Sequence, residues 1–164
     1  MNKPADSGEK LIGTNPAAYQ NYAITEVVEA GIVLLGTEIK SLRDAAPNLR
    51  DSFVEVNRQS GKIEAWLVNA NLAHYSHGNI WNHETTRKRK LLLHRHQIER
   101  LFGASTTEGL TIIPTRLYFK KGRAKVELGI GRGKKKFDKR ESLKSKSAER
   151  EMAQARKRTA RDDD

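Results

Sequence analysis

Apolar side chains recur at every second position through most of residues 21–131, and that period restricts the chain more than any other feature. Val54 and Val56 alternate with Glu55 and Asn57. Ile63, Ala65 and Leu67 alternate with Glu64 and Trp66, Leu117 and Phe119 with Tyr118, and Val126, Leu128 and Ile130 with Glu127 and Gly129. A strand turns successive side chains to opposite faces, so the pattern predicts half-buried β-strands rather than helices. Turn residues punctuate the runs: Arg58-Gln59-Ser60-Gly61-Lys62 predicts one hairpin and Lys120-Lys121-Gly122-Arg123 another. Pro114, which has no N–H to give a ladder, marks a strand edge or a bulge. Short helices interrupt the strands. One is expected from about Thr37 to Arg43, with Thr37 as N-cap and Ile39 and Leu42 on its inner face. Another is expected from about His94 to Phe102, with Ile98, Leu101 and Phe102 as its stripe and Gly103 as its stop. About six short strands with two or three short helices predict a mainly β fold. An OB-like antiparallel barrel fits best, because closure removes exposed strand edges.

The pattern stops at Gly131, and the charge balance changes there. The chain has 164 residues and a net charge of +11. Residues 1–131 carry 18 basic and 13 acidic side chains, and residues 132–164 carry 13 and 7, so a fifth of the length holds over half of the excess charge. Phe137, Leu143 and Met152 are the only large apolar side chains after Gly131. Such a segment buries too little surface to offset its ordering entropy, which predicts a tail that is disordered when free. Ala, Glu, Lys, Arg and Gln dominate Lys139–Arg158, with no Pro or Gly, so the tail is also able to fold as a helix on a partner. The expected organisation is a flexible N-terminus over residues 1–15, a barrel over 16–131 and a basic tail over 132–164.

A chain this basic meets a polyanion. It has no Cys, which excludes disulfide frameworks, thiol nucleophiles and Cys-ligated zinc. Its longest apolar run, Ile32-Val33-Leu34-Leu35, is far too short to span a membrane, and the first fifteen residues hold no apolar signal core. A soluble protein of a cytoplasmic, RNA-rich compartment is expected, with no membrane partner.

The sequence offers little for catalysis. His74 and His77 have H-x-x-H spacing but lack further ligands, so no metal site or cofactor is expected. His94 and His96 point apart in either a strand or a helix. A ribonuclease pairing His83 with His94 or His96 as acid and base would need a fold that unites them. Gly129-Ile130-Gly131-Arg132-Gly133 lacks the spacing of a dinucleotide loop and reads as a flexible exit from the barrel. No catalytic residue is assigned. Four basic clusters do rise above background: Lys40 with Arg43 on one helix face, Arg87–Lys90, the group Lys120, Lys121, Arg123 and Lys125 around one hairpin tip, and Lys134-Lys135-Lys136 leading into Phe137-Asp138-Lys139-Arg140. They would bind phosphates with steep salt dependence but without reading sequence. On this chemistry alone, a generic basic OB-type ribosomal or single-strand RNA-binding protein also fits.

Four segments in order carry a more specific signal: Glu29-Ala30-Gly31, Gly36-Thr37-Glu38-Ile39-Lys40-Ser41-Leu42-Arg43, Thr86-Arg87-Lys88-Arg89-Lys90-Leu91-Leu92-Leu93 and Gly133-Lys134-Lys135-Lys136-Phe137-Asp138-Lys139-Arg140. Over about residues 15–158 the chain resembles the SsrA-binding protein family (small protein B, SmpB). The resemblance implies an OB-like barrel that binds the tRNA-like domain of transfer-messenger RNA (tmRNA) and enters stalled ribosomes, where the tail folds as a helix in the vacant mRNA channel. It implies trans-translation without catalysis by the protein, with elongation factor Tu and alanyl-tRNA synthetase as partners through the RNA. By position it makes Glu29, Leu92 and Lys125 the principal tmRNA contacts. From the basic clusters, Lys40, Arg43, Lys120, Lys121, Arg123, Lys134 and Lys135 are expected to add further RNA contacts. Lys136, Phe137, Asp138, Lys139 and Arg140 become the contacts to the ribosomal decoding centre, with Phe137 stacking on a base. The family follows its Asn, here Asn15, with basic residues, whereas this chain has Pro16-Ala17-Ala18-Tyr19, which implies a weakened or absent RNA contact there.

Overall fold

The protein is described here by a computed structural model covering residues 8–162, with the side chains of residues 79, 136–138 and 159–162 outside the description. Seven strands, β1 (Glu9–Thr14), β2 (Tyr22–Ile32), β3 (Phe53–Gln59), β4 (Lys62–Val68), β5 (Arg89–Leu92), β6 (Thr111–Lys120) and β7 (Arg123–Gly133), form one antiparallel sheet. Its order is β1-β6-β7-β2-β5-β4-β3. The helices are α1 (Pro16–Asn21), α2 (Gly36–Asp44), α3 (Arg95–Thr106) and α4 (Lys136–Asp162), with a 3-10 turn at Asn79–Trp81.

Alternation places the core as expected. Leu117, Val126 and Ala30 lie in one register row across β6, β7 and β2, and all three are buried. Leu67 and Leu91 extend that face, and Leu101 and Ala104 of α3 close over it. Both expected hairpins form, with Ser60, Gly61, Lys121 and Gly122 at positive φ in their turns. The bulge expected near Pro114 is present as a register shift between Pro114 and Arg116.

The expected closed barrel is not formed. As the sheet curls, β3 packs against β6, but β1 and β3 remain its two edges. The cause lies on β6. Its outer edge from Arg116 to Lys120 is taken by β1, a strand that forms where a flexible N-terminus was expected. Asn15 occupies the next stretch: its N–H donates to the Thr115 carbonyl at 2.7 Å and its Nδ2 to the Pro114 carbonyl at 2.9 Å. Pro114 has no N–H to offer, so β3 finds no free ladder. Residues 1–7 of the expected flexible segment lie outside the described residues.

Helix boundaries differ for local reasons. The α2 N-cap is Leu35, not Thr37, because Glu38 reaches back to accept the Leu35 N–H at 2.9 Å. Gly103 stays helical, and α3 stops later, ahead of Gly109 at φ 64°. The tail, expected to be disordered when free, is helical from Lys136 onward. Its start is fixed to α1: the Lys134 ammonium donates to the Tyr19 carbonyl at 3.0 Å and to Ser142 Oγ at 2.9 Å. No Pro or Gly interrupts the helix formers that follow.

A buried ion network joins α2 to β5. Glu38 and Arg89 are both fully buried. Glu38 accepts from Arg87 at 2.6 and 2.8 Å and from Arg89 Nε at 3.0 Å. The remaining Arg89 donors reach the carbonyls of Ala70 at 2.8 Å and Thr85 at 3.0 Å. Burial alone would raise the Glu38 pKa, but the Arg87 hydrogen bonds, the Leu35 N–H and the Arg89 charge outweigh it and hold it below the ordinary value. The Arg87–Lys90 cluster is therefore not one solvated patch: Arg89 shares the inward parity of Leu91.

Candidate nucleic-acid interface

The face of the sheet opposite the core is built by the other parity of the same strands. Leu11, Tyr118, Lys125, Gly31 and Leu92 occupy one register row across β1, β6, β7, β2 and β5. Directly opposed residues of antiparallel strands project to the same side, so this row is shared by five strands. Glu29 lies two residues from Gly31 and joins the same face. Glu29, Leu92 and Lys125, which come from three separate segments, are thus brought together.

Each has a defined environment. Leu92 is 55% exposed, unusual for a Leu at the centre of a sheet. Gly31 leaves its flank open: a Cβ there would lie 3.2 Å from Leu92 Cβ. Lys125 makes no ion pair among the described residues, and its positive charge is felt by the Glu29 carboxylate. Glu29 accepts a short hydrogen bond from the Tyr118 hydroxyl and lies 3.6 Å from Lys120 Nζ. That hydrogen bond is the main cause holding its pKa below the ordinary value, with the charges of Lys120 and Lys125 adding to it. The group is a carboxylate at neutral pH, able to accept from amino and imino donors of a base.

Tyr118 is itself only 1% exposed, despite lying on this outward face. Its phenol is covered by Arg116, whose guanidinium is 4.5 Å from the ring centroid. Arg116 is in turn held by Glu127 at 3.0 Å and Glu9 at 3.3 Å. Burial and the Glu29 carboxylate raise the Tyr118 pKa, so the hydroxyl remains a donor throughout the physiological range. Sequence reasoning missed Tyr118, Arg116 and Glu9. The only available signal was a Tyr between two inward residues, Leu117 and Phe119.

Lys120, Lys121 and Arg123 crowd the β6–β7 hairpin end beside the row, with Lys120 opposite Arg123. Lys40 and Arg43 are exposed on α2, where Lys40 Nζ sits 5.5 Å from the Tyr75 ring centroid, and they are not part of the row. Lys134 is engaged with α1, whereas Lys135 and Arg140 are exposed and Lys139 is half-buried. The side chains of Lys136, Phe137 and Asp138 lie outside the described residues. Asn15 is buried in the β6 contact described above, which removes it from any RNA surface.

The histidines pair differently from expectation. His83 is buried, with Nδ1 2.9 Å from Thr37 Oγ1 and Nε2 2.9 Å from the Leu72 carbonyl, and its ring neighbour is His74. His94 and His96 stack with centroids 6.0 Å apart, because His94 caps α3 instead of lying within it. His83 is therefore not joined to either. No cluster of three metal-ligating side chains occurs among the described residues. Nor is any described helix long and apolar enough to cross a membrane.

Comparison with known proteins decides the kinship. The SmpB protein family model matches residues 12–158. The chain belongs to the SmpB family. It is 53% identical over 150 residues to the SsrA-binding protein of Pelobacter propionicus, covering 92% of this chain and 96% of that one. It is 49% identical over 158 residues to the SsrA-binding protein of Syntrophobacter fumaroxidans, covering 96% of both. Among solved structures it is similar to a chain described under "tmRNA-SmpB: a journey to the center of the bacterial ribosome", with a TM-score of 0.62 and 42% identity, over 77% of this chain and 87% of that chain. The SmpB match takes in the whole outward row except Leu11, and most of α4.

Proposed function

We propose that this SmpB-family chain binds the tRNA-like domain of tmRNA on the outward face of its sheet and delivers it to stalled ribosomes for trans-translation. The observation that carries this reading is the row itself, which sets an exposed Leu, an oriented carboxylate and an unpaired Lys side by side on a rigid platform. The Lys neutralises a phosphate, the Leu packs on a base or sugar, and Glu29 accepts from a splayed base. The curl that brings β3 against β6 supports an OB-like platform left open by β1.

The tail acts on the ribosome. Lys134 to Arg140 lead from the body toward the decoding centre, and α4 takes the place of absent message in the mRNA channel, with Phe137 stacking on a base. Elongation factor Tu and alanyl-tRNA synthetase engage the RNA rather than this chain. The protein acts in the cytoplasm as a binding factor and performs no bond-breaking step. Beside Glu29, the aromatic of the row, Tyr118, is buried and committed to that carboxylate, so it orients the acid and offers no ring for stacking.

Truncation after Gly133 tests this division of labour in a reconstituted tagging assay. The shortened protein is expected to bind the tRNA-like domain and to fail in tagging nascent chains on stalled ribosomes. Normal tagging by the truncated protein would contradict the role of the tail.

A further inference from the structure

Among the described residues, the two most exposed large apolar side chains sit together, away from the row. Ile80 is 87% exposed and Trp81 is 83% exposed, both at the 3-10 turn Asn79–Trp81. A Trp this open is not one left over from a core. The segment beneath it is built to hold the turn. Asn82 Oδ1 accepts from the N–H groups of Tyr75 at 3.1 Å and His83 at 3.2 Å, and its Nδ2 donates to the Tyr75 carbonyl at 2.6 Å. Gly78 is packed so closely that a Cβ would lie 2.7 Å from Asn82 Nδ2. His83 bonds Thr37 and the Leu72 carbonyl, and Ser41 Oγ donates to the Ala73 carbonyl at 2.5 Å, which fixes the segment to α2.

Charge identifies the occupant. Residues 71–83 contain no acidic side chain and include His74 and His77. Lys40 of α2 lies over the Tyr75 ring, and Arg43 is one turn further along the helix. Exposed acids nearby are Asp44, at the far end of α2, and Glu84. An aromatic surface beside cations suits a nucleic-acid base with its phosphates, rather than an acyl chain or an apolar protein face. Position narrows the choice further. The tail leaves the sheet beside Tyr22, at the start of β2, whereas α2 follows Ile32 at its end, roughly 30 Å away along the strand. Gly31 and Leu92 lie at the same end as α2.

We infer that Trp81, with Ile80 beside it, is a stacking platform for one unstacked base of the tRNA-like RNA, and that Lys40 and Arg43 hold the flanking phosphates. The inference rests on the reading that this chain binds tmRNA, and it adds a contact outside the sheet face. Lys40 and Arg43 thereby acquire a role separate from that of Lys125.

The chain has two Trp, so Trp66→Phe leaves Trp81 as the only indole. Full-length Trp66→Phe protein is titrated with the isolated tRNA-like domain of tmRNA, with Trp emission and gel shift followed in parallel. Quenching that saturates along the gel-shift curve is expected. Trp81→Ala should weaken binding about tenfold, with Trp81→Phe restoring most of it. A shifted complex with unchanged Trp81 emission, or full-strength binding by Trp81→Ala, would overturn the inference while leaving the tmRNA reading standing. Absence of any shifted complex would overturn both. The two Trp81 variants in the natural background decide the matter even where Trp66→Phe perturbs folding.

Discussion

The Tyr118 hydroxyl on β6 donates to the Glu29 carboxylate on β2, reaching over the intervening strand β7, and so ties a buried aromatic of the row to its carboxylate. The bond gives Glu29 one orientation and one charge state. Because Arg116 covers Tyr118 and is braced by Glu9 and Glu127, the orientation is inherited from β1 and β7 as well.

Tyr118→Phe removes that donor and little else. Glu29 should titrate closer to an ordinary Glu, since the largest contact stabilising its carboxylate form is gone. Unfolding should cost about 0.5–1.5 kcal/mol less, a typical net hydrogen bond. Carbon-13 NMR titration of the carboxyl groups and urea denaturation check both, and an unmoved Glu29 would detach it from Tyr118.

Glu38→Gln leaves the buried Arg89 without its counter-charge. A loss of about 3–5 kcal/mol is expected, measured by denaturant unfolding. The same pair sets the acid response. The folded-state pKa of Glu38 lies below its unfolded value, so its stabilisation is complete above about pH 4.5 and is lost as pH falls through the folded value. Tm measured against pH should drop in that acid window, and the drop should be smaller in Glu38→Gln.

Lys125→Ala should weaken binding of the tRNA-like domain. It should also reduce the slope of log affinity against log salt by about 0.7–0.9, the share of one phosphate. An unchanged slope would remove Lys125 from the phosphate contacts.

Gly131→Ala tests the closeness of β7 to β2. The added Cβ would fall 2.2 Å from the Ala23 carbonyl oxygen, a backbone atom that cannot rotate away. A destabilisation of about 1–3 kcal/mol is expected from thermal unfolding.

The strands of the body were legible because each obeys period two and because its turn residues sit between the runs. Strand β1 was not, since Glu9–Thr14 is short, carries a bulge between Leu11 and Gly13, and pairs with residues more than a hundred positions away. With β1 unseen, nothing indicated that the edge of β6 was taken, and closure was the natural expectation. Parity would have separated Arg89 from Lys90, because Arg89 shares its face with Leu91, but a run of four cations reads as solvated. The same parity argument puts Leu92 outward beside Lys90. Glu29, Leu92 and Lys125 came from family resemblance, and only the register across β5, β2 and β7 unites them. Lys40 and Arg43 are both exposed on α2, but the 73–86 segment held against that helix through Thr37, Lys40 and Ser41 had no periodic signal, so Trp81 went unnoticed.

Selectivity for one tRNA-shaped RNA is what separates this protein from a generic basic RNA binder. Sequencing the RNA that co-purifies with the full-length chain at moderate salt tests it most directly. tmRNA is expected to dominate the recovered reads, and the triple variant of Glu29, Leu92 and Lys125 to Ala is expected to abolish this enrichment. Recovery of cellular RNA in proportion to its abundance would contradict it.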